Sequence, residues 1–180
     1  MAVSTRRSRN ERPPLDEKSL EQAALSYAGR YATTRARLTA YLTRKVRDRG
    51  WEGEGEAPVE ALVEKMVGLG YVDDRAFAAA RAASLGRRGF GERRVREALR
   101  AAGISEDESD EAREAATRGA WAAALRFAER RRIGPFAEAE GDRVDREKAL
   151  GAMLRAGHPL DLARRFAFAK PGEIPDADTQ

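Results

Sequence analysis

Apolar residues recur every three or four positions along this 180-residue chain. The stretch with Val59, Leu62, Val63, Met66 and Val67 shows this spacing most clearly, because it places all five side chains on one face of a helix. No segment alternates with the period of two that is typical of a strand. The pattern therefore predicts an all-α protein of nine helices.

Three glycines divide the chain at a nearly constant interval. Gly50, Gly103 and Gly157 each stand four residues after an apolar residue of a basic amphipathic stretch. Glycine adopts the left-handed conformation without a Cβ clash, so each one is predicted to end an equivalent helix. The chain is therefore expected to contain three tandem three-helix repeats, which form an extended surface rather than a single catalytic pocket.

The expected boundaries follow from composition. Polar residues 1–18 and the proline-containing residues 170–180 are expected to be disordered tails. The repeats are assigned to residues 19–72, 73–118 and 119–169.

Local signals predict where several helices begin. Ser19 with Gln22, and Ser105 with Glu108, have the spacing of capping boxes. Pro58 is predicted to stand at a helix start. It follows a loop, residues 52–56, in which glutamate and glycine alternate.

Composition narrows the classes of partner and site. Charged residues make up 36% of the chain and aromatic residues 7%, so few side chains remain to line a deep pocket. The net charge is +4 and the arginines are bunched, which favours an anionic partner. The absence of cysteine excludes disulfides, thiolate metal sites and thiol nucleophiles, and fits a reducing cytoplasm. With no apolar run long enough to cross a bilayer, we expect a soluble cytoplasmic protein that does not bind membranes.

The central third of the chain carries a resemblance to a known family. The segment GYVDDRAFA at 70–78, followed by RGFGERRVREALRAAGI at 88–104, resembles the central signature of the RecX family of bacterial regulators of the RecA recombinase. The resemblance extends over residues 19–168. It departs from the family pattern at residues 28–30 and in an insertion at residues 134–141.

The resemblance implies a fold and a function. Members are tandem three-helix repeats that form a curved, elongated molecule and bind in the helical groove of a RecA filament on single-stranded DNA. Occupying that groove limits filament growth or strand exchange, and with them recombination and DNA repair. We therefore expect a monomeric modulator with RecA and single-stranded DNA as partners, with weak direct DNA binding as a further option, and with no enzymatic activity and no cofactor.

Arginine clusters are the candidate binding residues. A turn of 100° per residue places Arg93, Arg96 and Arg100 together, away from the apolar residues of the same helix. The alternative to a binding role is that these arginines form an ordinary solvent-exposed face, whose positive charge Glu97 partly offsets. Further candidates occupy the equivalent helix of the first repeat and two basic runs: Arg37, Arg44, Arg47, Arg87, Arg88, Arg130 and Arg131. The last run, which continues to Arg132, is equally explained as the basic last turn of a helix.

Other motifs favour structural interpretations. Asp73 and Asp74 are interpreted as a helix cap rather than a carboxylate pair for a metal, with Tyr71 and Phe77 packing across it. Gly89 and Gly91 are interpreted as a turn, and the acidic residues 106–111 as a solvated helix start.

The single histidine, His158, is expected in a cap or on the surface. No set of side chains suited to catalysis is visible, so an acid-base or metal-dependent enzyme is only a remote alternative.

The main alternative to a RecA modulator is a helical regulator that binds duplex DNA through residues 93–102, although that stretch has no Asn or Gln to read bases.

Overall fold

The computed structural model describes residues 13–177, and in that range it contains nine α-helices, one 3-10 turn and no strand. This confirms the predicted all-α class. The chain divides into two compact units, Met1–Asp73 and Asp74–Gln180. The expected disorder of residues 1–12 and 178–180 concerns positions outside the described range.

The first unit is a three-helix bundle. Its helices are α1 (Glu17–Ala28), α2 (Arg35–Arg49) and α3 (Val59–Gly68). Their buried apolar side chains form one core, which includes Leu20, Leu38, Leu42, Val63 and Met66. α2 ends at Gly50, as the glycine spacing predicted; its φ of 84° is positive, but its ψ of 166° differs from that of the left-handed helical conformation.

The start of the first unit differs from the expectation. α1 is capped by Asp16 rather than by Ser19, because the Asp16 carboxylate accepts a hydrogen bond from the Ser19 amide at 2.8 Å and the Ser19 hydroxyl accepts one from the Asp16 amide. These bonds lower the pKa of Asp16. Leu15 is fully buried, and its backbone bonds Gly50 and Glu52. Residues 15–18 are therefore part of the folded unit, not of a disordered tail, because an apolar side chain and a cap anchor them.

The second unit contains the other six helices. They are α4 (Asp74–Arg87), α5 (Glu92–Arg100), α6 (Glu106–Arg118), α7 (Ala120–Arg131), α8 (Arg143–Arg155) and α9 (Leu160–Ala167). A 3-10 turn, Gly134–Phe136, separates α7 from α8. Helices α4–α6 enclose one apolar core and α7–α9 enclose another, and Phe90 packs against both. The capping box of Ser105 and Glu108 at the start of α6 is confirmed.

Within the described part of the chain, five helices end in the same two-bond motif. In each, the left-handed residue bonds the carbonyl three residues back and the next amide bonds the carbonyl five residues back. Four of the five left-handed positions are glycines: Gly70, Gly89, Gly103 and Gly157. The fifth, at the end of α7, is Arg132, with a φ of 53°.

The end of the described chain also differs from the expectation. The indole Nε1 of Trp121 donates a hydrogen bond to the Pro175 carbonyl at 3.1 Å, and the Gly172 amide donates one to Pro135 at 2.8 Å. The predicted tail therefore packs on the third repeat as far as the structure describes it, because its backbone groups find partners there.

Candidate partner-binding surface

In the first unit, the candidate arginines lie on α2. Thr34 caps this helix by accepting a hydrogen bond from the Arg37 amide. Because Leu38 and Leu42 are buried on one side, Arg37 and Arg44 point to solvent on another. Arg47 is also exposed and forms an ion pair with its neighbour Asp48 at 3.2 Å. α2 thus presents a cationic face.

A stack of tyrosines borders this cationic face, and sequence reasoning missed it. The rings of Tyr27 and Tyr41 stack with centroids 4.1 Å apart, and the ring of Tyr31 lies 5.7 Å from that of Tyr27. The ammonium of Lys45 lies over Tyr41 at 5.3 Å, and Tyr31 is 60% exposed. Aromatic rings next to cations are the combination on which unpaired bases stack. Tyr27 and Tyr41 pack partly against the core of the first unit, so their residue types and spacing alone do not distinguish this patch from core packing.

On α5, the structure gives different environments to the three arginines that share a face. Arg93 donates a hydrogen bond to the Leu154 carbonyl, so it links the second repeat to the third. Arg96 is held by the carboxylate of Glu92 at 2.7 Å. Arg100 is exposed, and no carboxylate within residues 13–177 pairs with it. Within the described residues, Arg93 therefore has a structural contact that Arg96 and Arg100 lack, although it lies outside the apolar core.

The basic run after α4 is also divided. Arg87 is exposed at the last position of the helix, and it has no ion-pair partner in the described part of the chain. Arg88 lies over the ring of Phe90 at 5.2 Å, and its carbonyl accepts a hydrogen bond from Arg130. Arg87 is therefore available to a partner, whereas the backbone of Arg88 holds the two repeats together.

The basic run at the end of α7 has the same mixture of roles. Arg130 forms the bond to Arg88, and its guanidinium lies 5.7 Å from the ring centre of Phe127. Arg131 lines a cleft in the third repeat together with Arg132. The bond of Arg130 shows that a last-turn arginine serves to join the repeats.

Close backbone contacts join the second and third repeats. The amide of Gly91 bonds the Ala156 carbonyl at 2.9 Å, and the amide of Arg93 bonds the Gly157 carbonyl at 3.2 Å. A Cβ atom on Gly91 would lie 2.3 Å from the oxygen of Gly157. Gly89 has a φ of 74°, which confirms the predicted turn, but the sequence did not show that these glycines permit a close approach between repeats.

His158 lies in this junction. It is 3% exposed, so the expected surface location is wrong, although its amide does close the end of α8. The turn at Gly157 directs the ring inward, where Nε2 lies 3.1 Å from the Gly89 carbonyl and the ring packs on Phe127. Burial lowers the pKa of His158 to about 4, and the bond to Gly89 opposes this shift.

The remaining observations concern metals and membranes. Within residues 13–177 no group of three or more His, Asp or Glu side chains is placed to hold a metal ion. α4 begins at Asp74, directly after Asp73, where a helix cap rather than a metal site is expected.

Among residues 13–177 no helix combines the length and apolar character that a transmembrane span requires.

These features define a helical repeat protein with exposed cationic helix faces. The model of the second three-helix domain of RecX matches residues 73–112. The chain is 35% identical over 164 residues to the regulatory protein RecX of Myxococcus xanthus (strain DK1622), which covers 84% of this chain and 86% of the relative. The chain therefore belongs to the RecX family of regulatory proteins.

Solved structures show the same fold. The crystal structure of RecX from Lactobacillus salivarius matches with a TM-score of 0.61 at 18% identity, covering 81% of this chain and 90% of the other. A crystal structure of a regulatory protein RecX matches with a TM-score of 0.56 at 21% identity, covering 81% of this chain and 68% of the other.

Proposed function

We propose that this protein is a non-enzymatic inhibitor of the RecA recombinase. It binds the filament that RecA forms on single-stranded DNA and thereby limits recombination and repair. Membership of the RecX family supports RecA as the partner. Binding alone accounts for the inhibition, because a protein that occupies the filament obstructs the other partners of RecA without catalysing a reaction.

The observation that carries this proposal is a set of exposed arginines without neutralising carboxylates. Arg44, Arg87 and Arg100 are exposed and have no ion-pair partner among the described residues. Guanidinium groups bind phosphates and carboxylates through paired donors. Such unneutralised cations favour a negatively charged surface, either DNA phosphates or acidic side chains of the filament.

The tyrosine stack of the first unit supports a contribution from single-stranded DNA. Tyr31 is exposed beside the cations of α2, and stacking on bases stabilises binding by about 1–3 kcal/mol per base. Duplex DNA offers its bases only in the grooves, so this patch favours the filament over the duplex.

The test is a double charge reversal on α5 that spares Arg93. We expect Arg96→Glu with Arg100→Glu to raise the concentration needed to inhibit RecA-driven ATP hydrolysis by at least about tenfold, because attraction becomes repulsion at two contacts. Arg93→Gln is measured separately, and we expect it to lower the melting temperature because it removes the bond to Leu154. Circular dichroism establishes that each variant is folded.

The matched control reverses two arginines outside the candidate set. Arg118→Glu with Arg143→Glu makes the same change in net charge at exposed positions on α6 and α8. We expect near-normal inhibition from this control. Equal inhibition by wild type and the α5 variant would refute the assignment of the surface, and equal binding of the wild type to filament and to bare duplex at moderate salt would favour a duplex-binding regulator.

A further inference from the structure

A basic cleft lies in the third repeat, between the end of α7, one side of α8 and the residues after α9. Its volume is about 530 Å³. Two carboxylates, of Glu140 and Asp145, line it together with five cations: Arg131, Arg132, Arg146, Lys148 and Arg155. Within residues 13–177 neither Arg131 nor Arg155 pairs with a carboxylate. The cleft is therefore a concave site with an excess of positive charge.

The backbone at Arg132 gives independent support for a ligand. Four other helix ends in the described chain form the same motif, and each has glycine at the left-handed position. An L-residue with a side chain is disfavoured there because its Cβ approaches the carbonyl oxygen. The chain nevertheless has an arginine, whose side chain lines the cleft. An unfavourable backbone position that delivers a cation to a basic cleft indicates a binding role.

Acidic side chains of the insertion at residues 134–141 form ion pairs with two of the cations that line the cleft. Glu138 pairs with Arg132 at 2.5 Å, and Glu140 pairs with Arg146 at the same distance. The Arg132 and Glu138 side chains are 73% and 81% exposed, so this pair is weak and easily exchanged. An anionic ligand in the cleft would compete with these two carboxylates for the cations.

We propose that this cleft binds a phosphate group, with Glu138 and Glu140 displaced by the ligand. Planar guanidiniums bind phosphate oxygens through paired donors, and four arginines line this cleft. A cavity of this size accommodates a nucleotide. The phosphate is either a diester of a nucleic-acid strand or that of a free nucleotide. This proposal depends on the cleft alone and stands whether or not the chain inhibits RecA.

The first test uses the intact protein and replaces the two cleft arginines that have no carboxylate partner among residues 13–177, Arg131 and Arg155. The probes are a fluorescein-labelled oligothymidylate, followed by anisotropy, and ATP, followed by calorimetry. We expect Arg131→Gln with Arg155→Gln to weaken binding by about tenfold or more, whereas Arg118→Gln with Arg143→Gln, outside the cleft, changes it little. If the cleft variant binds only the oligonucleotide more weakly, the ligand is a phosphate of a nucleic-acid strand. If it binds ATP more weakly, the ligand is a free nucleotide. If both probes bind the cleft variant as they bind the control, or if neither probe binds the wild type, the proposal is overturned.

A second pair of variants separates ligand binding from structure. We expect Glu138→Gln with Glu140→Gln to tighten binding severalfold, because the competing carboxylates are gone, while Glu114→Gln with Glu147→Gln on α6 and α8 serves as the charge-matched control. Arg132→Gly should raise the melting temperature by roughly 3 °C, since glycine suits the left-handed position, and should weaken phosphate binding. A more stable Arg132→Gly protein with unchanged affinity would show that this arginine has no binding role and would contradict the proposal.

Discussion

Acidification should destabilise the junction between the second and third repeats through His158. The Nε2–H group donates to the Gly89 carbonyl, so the neutral ring carries its proton there and Nδ1 is left buried without a partner in the described structure. A second proton on Nδ1 would put a charge in an apolar contact with Phe127. The folded state therefore resists protonation, whereas the unfolded chain does not.

The magnitude follows from the two pKa values. The folded pKa is about 4 and the ordinary value is 6.5. Above the unfolded pKa neither state is protonated, so stability is unaffected. As the pH falls below 6.5 the unfolded chain alone takes up the proton, and stability decreases until the folded state is also protonated near pH 4. The loss is about 2 kcal/mol at about pH 5 and about 3 kcal/mol once both states are protonated.

Urea unfolding from neutral pH to about pH 5 tests this reasoning, with His158→Gln as the comparison. Glutamine keeps a donor for Gly89 but does not titrate, so the variant should lose about 2 kcal/mol less than the wild type over this interval. Subtracting the two curves removes the contribution of the carboxylates, which both proteins share. Parallel pH profiles for wild type and variant would refute the burial argument.

Two further substitutions test the structural assignments. Asp73→Ala with Asp74→Ala should lower stability by about 1 kcal/mol or more, through loss of the expected cap of α4, while the folded protein keeps its affinity for RecA filaments; lost inhibition at full stability would instead place these carboxylates in the binding surface. Gly91→Ala should destabilise the protein by about 1–3 kcal/mol in thermal melts, because its Cβ would lie 2.3 Å from the Gly157 oxygen, whereas Gly68→Ala, with nothing within 4 Å of the added atom, should be nearly neutral.

Helix positions were predictable from the sequence because periodicity and caps are local. The glycines at 50, 103 and 157 all end helices with a positive φ, and the capping box of Ser105 is present. The cap at Asp16 was missed because Ser19 fits the same spacing rule three residues later. Leu15 and Pro175 were assigned to tails because their partners, Gly50 and Trp121, are distant in sequence.

The candidate surface was predictable only as a set of residue types. A helical wheel shows that Arg93, Arg96 and Arg100 share a face, but it does not show that Arg93 bonds Leu154 from another repeat. Similarly, Tyr27 and Tyr41 satisfy a core pattern, and their stacking becomes visible only when α1 and α2 are packed together. Contacts between helices depend on tertiary packing, and the local pattern of apolar and polar residues does not show which helices meet.

The fit of Gly91 against Gly157 limits how a repeat of this chain could be replaced by one from a relative. The two glycines come from different repeats, and each leaves no room for a Cβ atom on the other side: one on Gly157 would lie 2.5 Å from the Arg94 amide nitrogen. A chimera that imports a third repeat from another family member must therefore carry the matching turn at residues 89–91 with it. The second and third repeats should therefore be engineered as a pair, even though each encloses its own core.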